Sequence, residues 1–252
     1  MVPERSSQLP LLVLRHVPWE GLGAFAPLLD RRRVAWRYVD LFAGARLPDL
    51  RSARAVLVMG GPMGVYETAR YPFLWQEIDA IGSAVRAGVP LVGVCLGSQL
   101  LAAALGAEVR PSSRGKEIGW APVLRASAAA ADPIVGRFAP EETVLHWHGD
   151  VFEVPQSAVA LAGSALTDCQ AFRWGPSAWG LLFHVEADPP LVDSWLSEPS
   201  MRAEAAALDP GLPERILTEA PRLQERLVRL QAAVLDALLG PASTDVGCVA
   251  SW

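Results

Sequence analysis

The chain has 252 residues, 51% of them hydrophobic and 19% charged, which is enough apolar material for one large domain or two small ones. A formal net charge of -5 offers no basic field to gather phosphates, so nucleic acid and anionic membrane surfaces are not expected partners and a small polar substrate fits better. The most apolar stretch, Leu91 to Ala107, is interrupted by Gly93, Gly97, Ser98, Gln99 and Gly106 and is too short to span a membrane.

The N-terminal residues include Glu4 and Arg5 where a secretory signal would need an apolar run, so the expected location is the cytoplasm. Leu11 to Leu14, Val34 to Val39, Ala55 to Met59 and Leu91 to Val94 are short apolar runs of the kind found in strands buried on both faces. Leu22 to Arg31 and Phe73 to Ala87 have helical periodicity. Gly88-Val89-Pro90 stops the second of these helices, and another helix is predicted over Gly97 to Leu105. This alternation predicts an α/β fold with a flavodoxin-like, mostly parallel central sheet flanked by helices. From Glu108 to Val185 the pattern changes to short strands, at Glu117 to Leu124, Thr143 to Trp147, Ala158 to Ala162 and Ala178 to Phe183. No Pro/Gly/Ser-rich linker precedes them, so they are expected to extend the same sheet in a mixed or antiparallel way, within a single domain. Leu212 to Leu239 predicts a helix or helix pair whose stripe of Leu223, Leu227, Leu230 and Val234 docks on the core. Residues 1–240 are expected to form the domain and 241–252 a disordered tail. His16 and the buried-looking Trp36 and Trp75 are assigned to packing.

The three cysteines, Cys95, Cys169 and Cys248, are far apart and lack CxxC spacing, so neither a disulfide framework nor a zinc site is suggested. Cys95 stands in Gly93-Val94-Cys95-Leu96-Gly97-Ser98-Gln99, at the predicted junction of a buried strand and a helix. Alone, such a cysteine reads equally as a small buried apolar residue. At the carboxyl edge of a parallel sheet, however, flanking glycines permit a sharp turn, and the following helix N-terminus favours a thiolate. Leu181-Leu182-Phe183-His184-Val185-Glu186 ends a second apolar run. Residues two apart on an extended strand project to one side, which would bring His184 and Glu186 together.

The Gly-x-Cys-x-Gly-x-Gln run resembles the nucleophile motif of the class I, triad-type glutamine amidotransferases and matches each fixed position. His184 and Glu186 resemble that family's late His-Pro-Glu, with Val185 in place of the proline. Met59-Gly60-Gly61-Pro62 is similar to its oxyanion loop, and His146-Trp147-His148-Gly149-Asp150 to its His-Gly-Asp segment. Glu117-Ile118-Gly119-Trp120 and Cys169-Gln170-Ala171-Phe172-Arg173 look like segments of the stand-alone, GMP-synthase-like members, so the likeness spans roughly residues 10 to 200. The resemblance implies a catalytic Cys95, His184 and Glu186, oxyanion donors on Gly61 and Leu96, and substrate contacts from Gln99, His148, Gly149 and Asp150. It implies no metal or organic cofactor. The implied substrate is glutamine or a related γ-glutamyl compound, cleaved through a thioester. The alternatives are a γ-glutamyl peptidase acting on glutathione-like or γ-glutamylated amine compounds, and a glutaminase subunit dependent on a synthase or ammonia-acceptor partner. A redox sensor would need only the thiol, so the presence of His184, Glu186 and Gln99 speaks against it.

Overall fold

In the computed structural model, which describes residues 9–241, the four apolar runs are β1 (Leu11–Arg15), β2 (Trp36–Asp40), β3 (Ala55–Val58) and β4 (Leu91–Val94). They pair in parallel in the order β2-β1-β3-β4. Helices α1 (Phe25–Arg31), α2 (Phe73–Arg86) and α3 (Leu96–Ala104) provide the connections and packing layers. Successive side chains on a strand point to opposite faces, so these runs feed two cores. Leu11, Val13, Leu57 and Val92 join Phe25 and Leu29 of α1 in one. Leu12, Leu14, Val56 and Leu91 join Ile81 of α2 and Leu100 of α3 in the other.

The second half extends this sheet, as its short strands predict. β6 (Glu117–Arg125), β7 (Glu141–His148), β9 (Ala158–Gly163), β10 (Ala171–Trp174) and β11 (Ala178–Leu181) complete nine strands in the order β2-β1-β3-β4-β11-β10-β9-β6-β7. β11 runs parallel to β4, with Gly180 opposite Gly93, and every pair beyond it is antiparallel. β5 (Val109–Pro111) and β8 (Asp150–Phe152) form a separate two-stranded ribbon. The long helix α6 (Leu212–Leu239) buries Leu227, Leu230 and Val234 against the first core, with Leu223 partly buried beside them.

Several expectations are corrected. β11 stops at Leu181, so His184 and Glu186 lie beyond the strand that was expected to carry them. Trp75 is 57% exposed and Trp36 only partly buried, because helix α2 turns Trp75 away from the sheet and Trp36 lies on the outermost strand β2. Helices α4 (Pro189–Ser197) and α5 (Pro199–Leu208) were not foreseen. Both begin on prolines, which suit a first turn; Asp188 caps α4 by accepting from the Leu191 N–H. The expected tail lies outside the described residues from position 242 onward. No helix among the described residues is long and apolar enough to cross a membrane.

Helix α3 sits directly on the end of β3: a Cβ at Gly97 would lie 2.0 Å from the Val58 carbonyl oxygen. Gly97→Ala must therefore push the helix off the sheet. The expected cost is about 3 kcal/mol, as for other overpacked sites, read as a lower urea midpoint at unchanged slope.

Candidate active site

Strand β4 ends and helix α3 begins at Cys95, which adopts φ 50°, ψ -111°. Positive φ is costly for a side chain with a Cβ, on the order of 1–3 kcal/mol, and persists only where the surroundings enforce it. Here the Cys95 N–H donates to the Leu181 carbonyl at 2.8 Å, while its own carbonyl accepts from the Ser98 N–H at 2.9 Å and the Ser98 hydroxyl at 2.6 Å. The sharp turn expected from the flanking glycines is thus present. Cys95 is 6% exposed, and its thiol donates to the Trp147 carbonyl at 3.4 Å. Burial pushes its pKa up, and neighbouring His184, within hydrogen-bonding reach, pulls the other way.

Although past the strand, His184 and Glu186 are held together: His184 Nδ1 lies 2.7 Å from Glu186 Oε1, with both side chains almost wholly buried. Three backbone ties replace the missing strand ladder. The His184 N–H donates to the Leu145 carbonyl at 2.8 Å, the Gln231 side-chain amide of α6 donates to the Val185 carbonyl at 3.1 Å, and the Ala24 N–H donates to the Glu186 carbonyl at 3.0 Å. Trp195 of α4 stands edge-on to the His184 ring at 4.7 Å. Burial pulls the His184 pKa down, but the Glu186 carboxylate and the Cys95 sulfur outweigh it, so His184 titrates well above a free imidazole.

Cys95 and His184 open into one cleft of about 250 Å³ that Gly61, Gln99, His148, Gly149 and Asp150 also line. Leu96 follows Cys95 as the first residue of α3. The Gln99 side-chain amide donates to the Asp150 carbonyl at 3.4 Å. Glu117 of the neighbouring strand lies opposite His148 in register, with Oε2 3.5 Å from its Nε2, and the Gln170 amide bridges them by donating to both. Burial, with His146 and His184 close by, pushes the His148 pKa down to about 3, so the ring is neutral and this contact is not an ion pair. Glu117, His146 and His148 bring metal-binding atoms within 4.8 Å of one another, but the Glu117 oxygens are already taken by Ser164, Thr167 and Gln170. This cluster is a hydrogen-bond network.

The sequence reading missed Glu20. It follows β1, is 6% exposed, and reaches into the space left by Gly60: a Cβ there would lie 1.8 Å from Glu20 Oε2 and 3.2 Å from His184 Cε1. Its Oε2 is buried without a hydrogen-bond partner. Burial raises its pKa from 4.5 to about 7 against the pull of His184. A carboxyl with a raised folded pKa stabilises the fold below its unfolded pKa and loses that contribution as pH rises through the folded value. The loss between pH 4.5 and 7 amounts to roughly 3 kcal/mol. Glu20→Gln is therefore expected to raise the urea midpoint above wild type at about pH 8.5, with the gain shrinking toward zero near pH 4.

The Glutamine amidotransferase class-I family matches residues 38–194. A glutamine amidotransferase-like protein of Salmonella typhimurium, YfeJ, is 33% identical over 175 residues, covering 68% of this chain and 73% of its own. The GMP synthase of Porphyromonas gingivalis is 28% identical over 152 residues, 59% of this chain but only 28% of that protein. The crystal structure of a glutamine amidotransferase from Thermotoga maritima superposes with a TM-score of 0.84 at 32% identity, over 92% of this chain and 98% of that one. Sequence, fold and the composition of the cleft agree: the chain belongs to the class I glutamine amidotransferase family.

Proposed function

We propose that the protein hydrolyses the γ-amide of glutamine or a related γ-glutamyl compound through a Cys95-His184-Glu186 triad. The observation that carries this reading is a cysteine held at positive φ on a strand-to-helix turn, sharing one cleft with an imidazole whose far nitrogen is bound to a buried carboxylate. Cys95 Sγ attacks the γ-carbonyl carbon with the proton that it shares with His184 resting on Nε2. The carbonyl oxygen becomes an oxyanion facing the N–H groups of Gly61 and Leu96. His184 then returns the proton to the departing nitrogen, the C–N bond breaks, and a γ-glutamyl thioester remains. Water attacks that thioester with His184 as base, releasing glutamate and the thiol. Glu186 holds the imidazole in the required tautomer and stabilises its charged form. Gln99, His148, Gly149 and Asp150 bind the amino-acid end of the substrate, where the carboxylate of Asp150 suits its ammonium.

A second reading is favoured by the wall beside His184. Trp147, Trp195 and Met201 line the cleft there and offer apolar surface that departing ammonia does not need. That surface suits a γ-glutamylated amine or peptide. A synthase or ammonia-acceptor partner is a further proposal, motivated by the GMP synthases among the relatives.

Incubation with glutamine and a panel of γ-glutamyl amides and peptides, with ammonia, amine and glutamate measured, separates these readings. Cys95→Ala is expected to lower turnover by roughly 10⁴-fold or more without loss of fold, and Glu186→Gln by on the order of 10³-fold. Full activity in purified Cys95→Ala would overturn the assignment.

A further inference from the structure

The end of β1 carries a buried polar pair with no part in the mechanism above. His16 and Glu77, from α2, are both 0% exposed, with His16 Nε2 3.0 Å from Glu77 Oε2 and 3.2 Å from Oε1. Placing two such groups in the interior is costly, and packing alone would be better served by apolar residues. The other ring nitrogen shows what the pair does. His16 Nδ1 lies 2.8 Å from the Gly60 carbonyl oxygen, and since a carbonyl can only accept, Nδ1 carries the proton and donates.

That carbonyl belongs to the same peptide unit as the Gly61 N–H. No peptide bond among the described residues is cis, so the Gly61 N–H points away from the Gly60 oxygen. Holding the oxygen toward His16 therefore turns the N–H to the opposite side. Among the described residues no protein acceptor takes that N–H, and Gly61 lines the cleft beside Cys95. The loop is tightly seated: a Cβ at Gly61 would lie 2.8 Å from His16 Cβ and 2.8 Å from Leu96 Cδ2. The peptide is thus wedged between the histidine that holds its carbonyl and the residue that follows the nucleophile.

We propose that His16, anchored by Glu77, is a positioning residue that fixes the Gly60–Gly61 peptide with its N–H directed at the oxyanion. This rests on the reading that the Gly61 N–H is an oxyanion donor. Burial pulls the His16 pKa down, but Glu77 and the Gly60 carbonyl outweigh it and raise it above that of a free imidazole; with an acceptor facing each ring nitrogen, both nitrogens donate. A charged donor on the carbonyl oxygen polarises the peptide and strengthens the N–H at its other end.

The two ring nitrogens can be removed separately. The side-chain amide of asparagine places its nitrogen near Nδ1, and that of glutamine near Nε2. His16→Gln keeps a contact to Glu77 but loses the donor to Gly60. His16→Asn keeps the donor and loses the anchor. Each variant is assayed for γ-glutamyl hydrolysis and for alkylation of Cys95 by iodoacetamide, a displacement that builds no oxyanion. His16→Gln should lower kcat about 10- to 100-fold, somewhat less than outright loss of an oxyanion donor, with KM within about threefold and alkylation unchanged. His16→Asn should recover most of that loss. Equal losses in the two variants, unchanged turnover in His16→Gln, or alkylation falling in step with turnover would each overturn the proposal. Should His16→Gln not fold, the isosteric Glu77→Gln takes its place: a several-fold fall in kcat at unchanged alkylation supports the proposal, and unchanged kcat overturns it. A wild-type protein that alkylates but hydrolyses no γ-glutamyl compound would overturn the underlying hydrolase reading and this proposal with it. An active wild type whose His16 variants behave alike overturns only this one.

Discussion

Strand β4 has to end and helix α3 has to begin within a single residue, and Cys95 carries that constraint at φ 50°. The strain is sustained by the packing around it. Gly97 lets α3 press against the Val58 carbonyl, and β11 takes the Cys95 N–H. A relaxed residue at this position would swing the helix away from the sheet and the thiol out of the cleft. Most of the site's architecture follows from this junction. β3 and β11 flank β4 on either side; the loop after β3 brings Gly60 and Gly61, and the segment after β11 brings His184.

Around the thiol the protein buries an unusual amount of charge. His184 has Glu186 on Nδ1 and Glu20 close to Cε1, while His16 and Glu77 lie behind the Gly60 carbonyl. Removing such groups from water is costly, and a fold keeps them only where partners or chemistry compensate. The Glu186 carboxylate has a clear partner. The Glu20 carboxylate has an oxygen without one, and its raised pKa follows from that exclusion from water. Glu20 is thus a second buried carboxyl beside His184, in addition to the one that meets its Nδ1.

Much of this was legible in the sequence because it depends on local rules. Uninterrupted apolar runs identify strands covered on both faces, and their alternation with helical periodicity predicts the parallel half of the sheet. The short glycine-flanked run identifies the turn at Cys95 because small residues on either side leave room for it, although the packing around it holds the conformation. The pairing of His184 with Glu186 was anticipated from strand alternation, yet the strand ends three residues before His184. The pair forms because Leu145, Ala24 and Gln231 tie that segment from three other elements. None of those ties has a signature near His184 in the chain.

The sequence by itself determined the alternating strands and helices of the first half, the two-faced core, the turn at Cys95 and the family to which the chain belongs, because each is written in a contiguous run or a fixed spacing. Only the tertiary structure decided that Glu20 enters the site, that Glu117 comes to lie beside His148, and that His16 joins Glu77 across 61 residues to hold Gly60. These are long-range encounters between single polar residues. Such a residue has no periodicity, so its partner is fixed only when the sheet order and helix packing bring the two side chains into one buried volume.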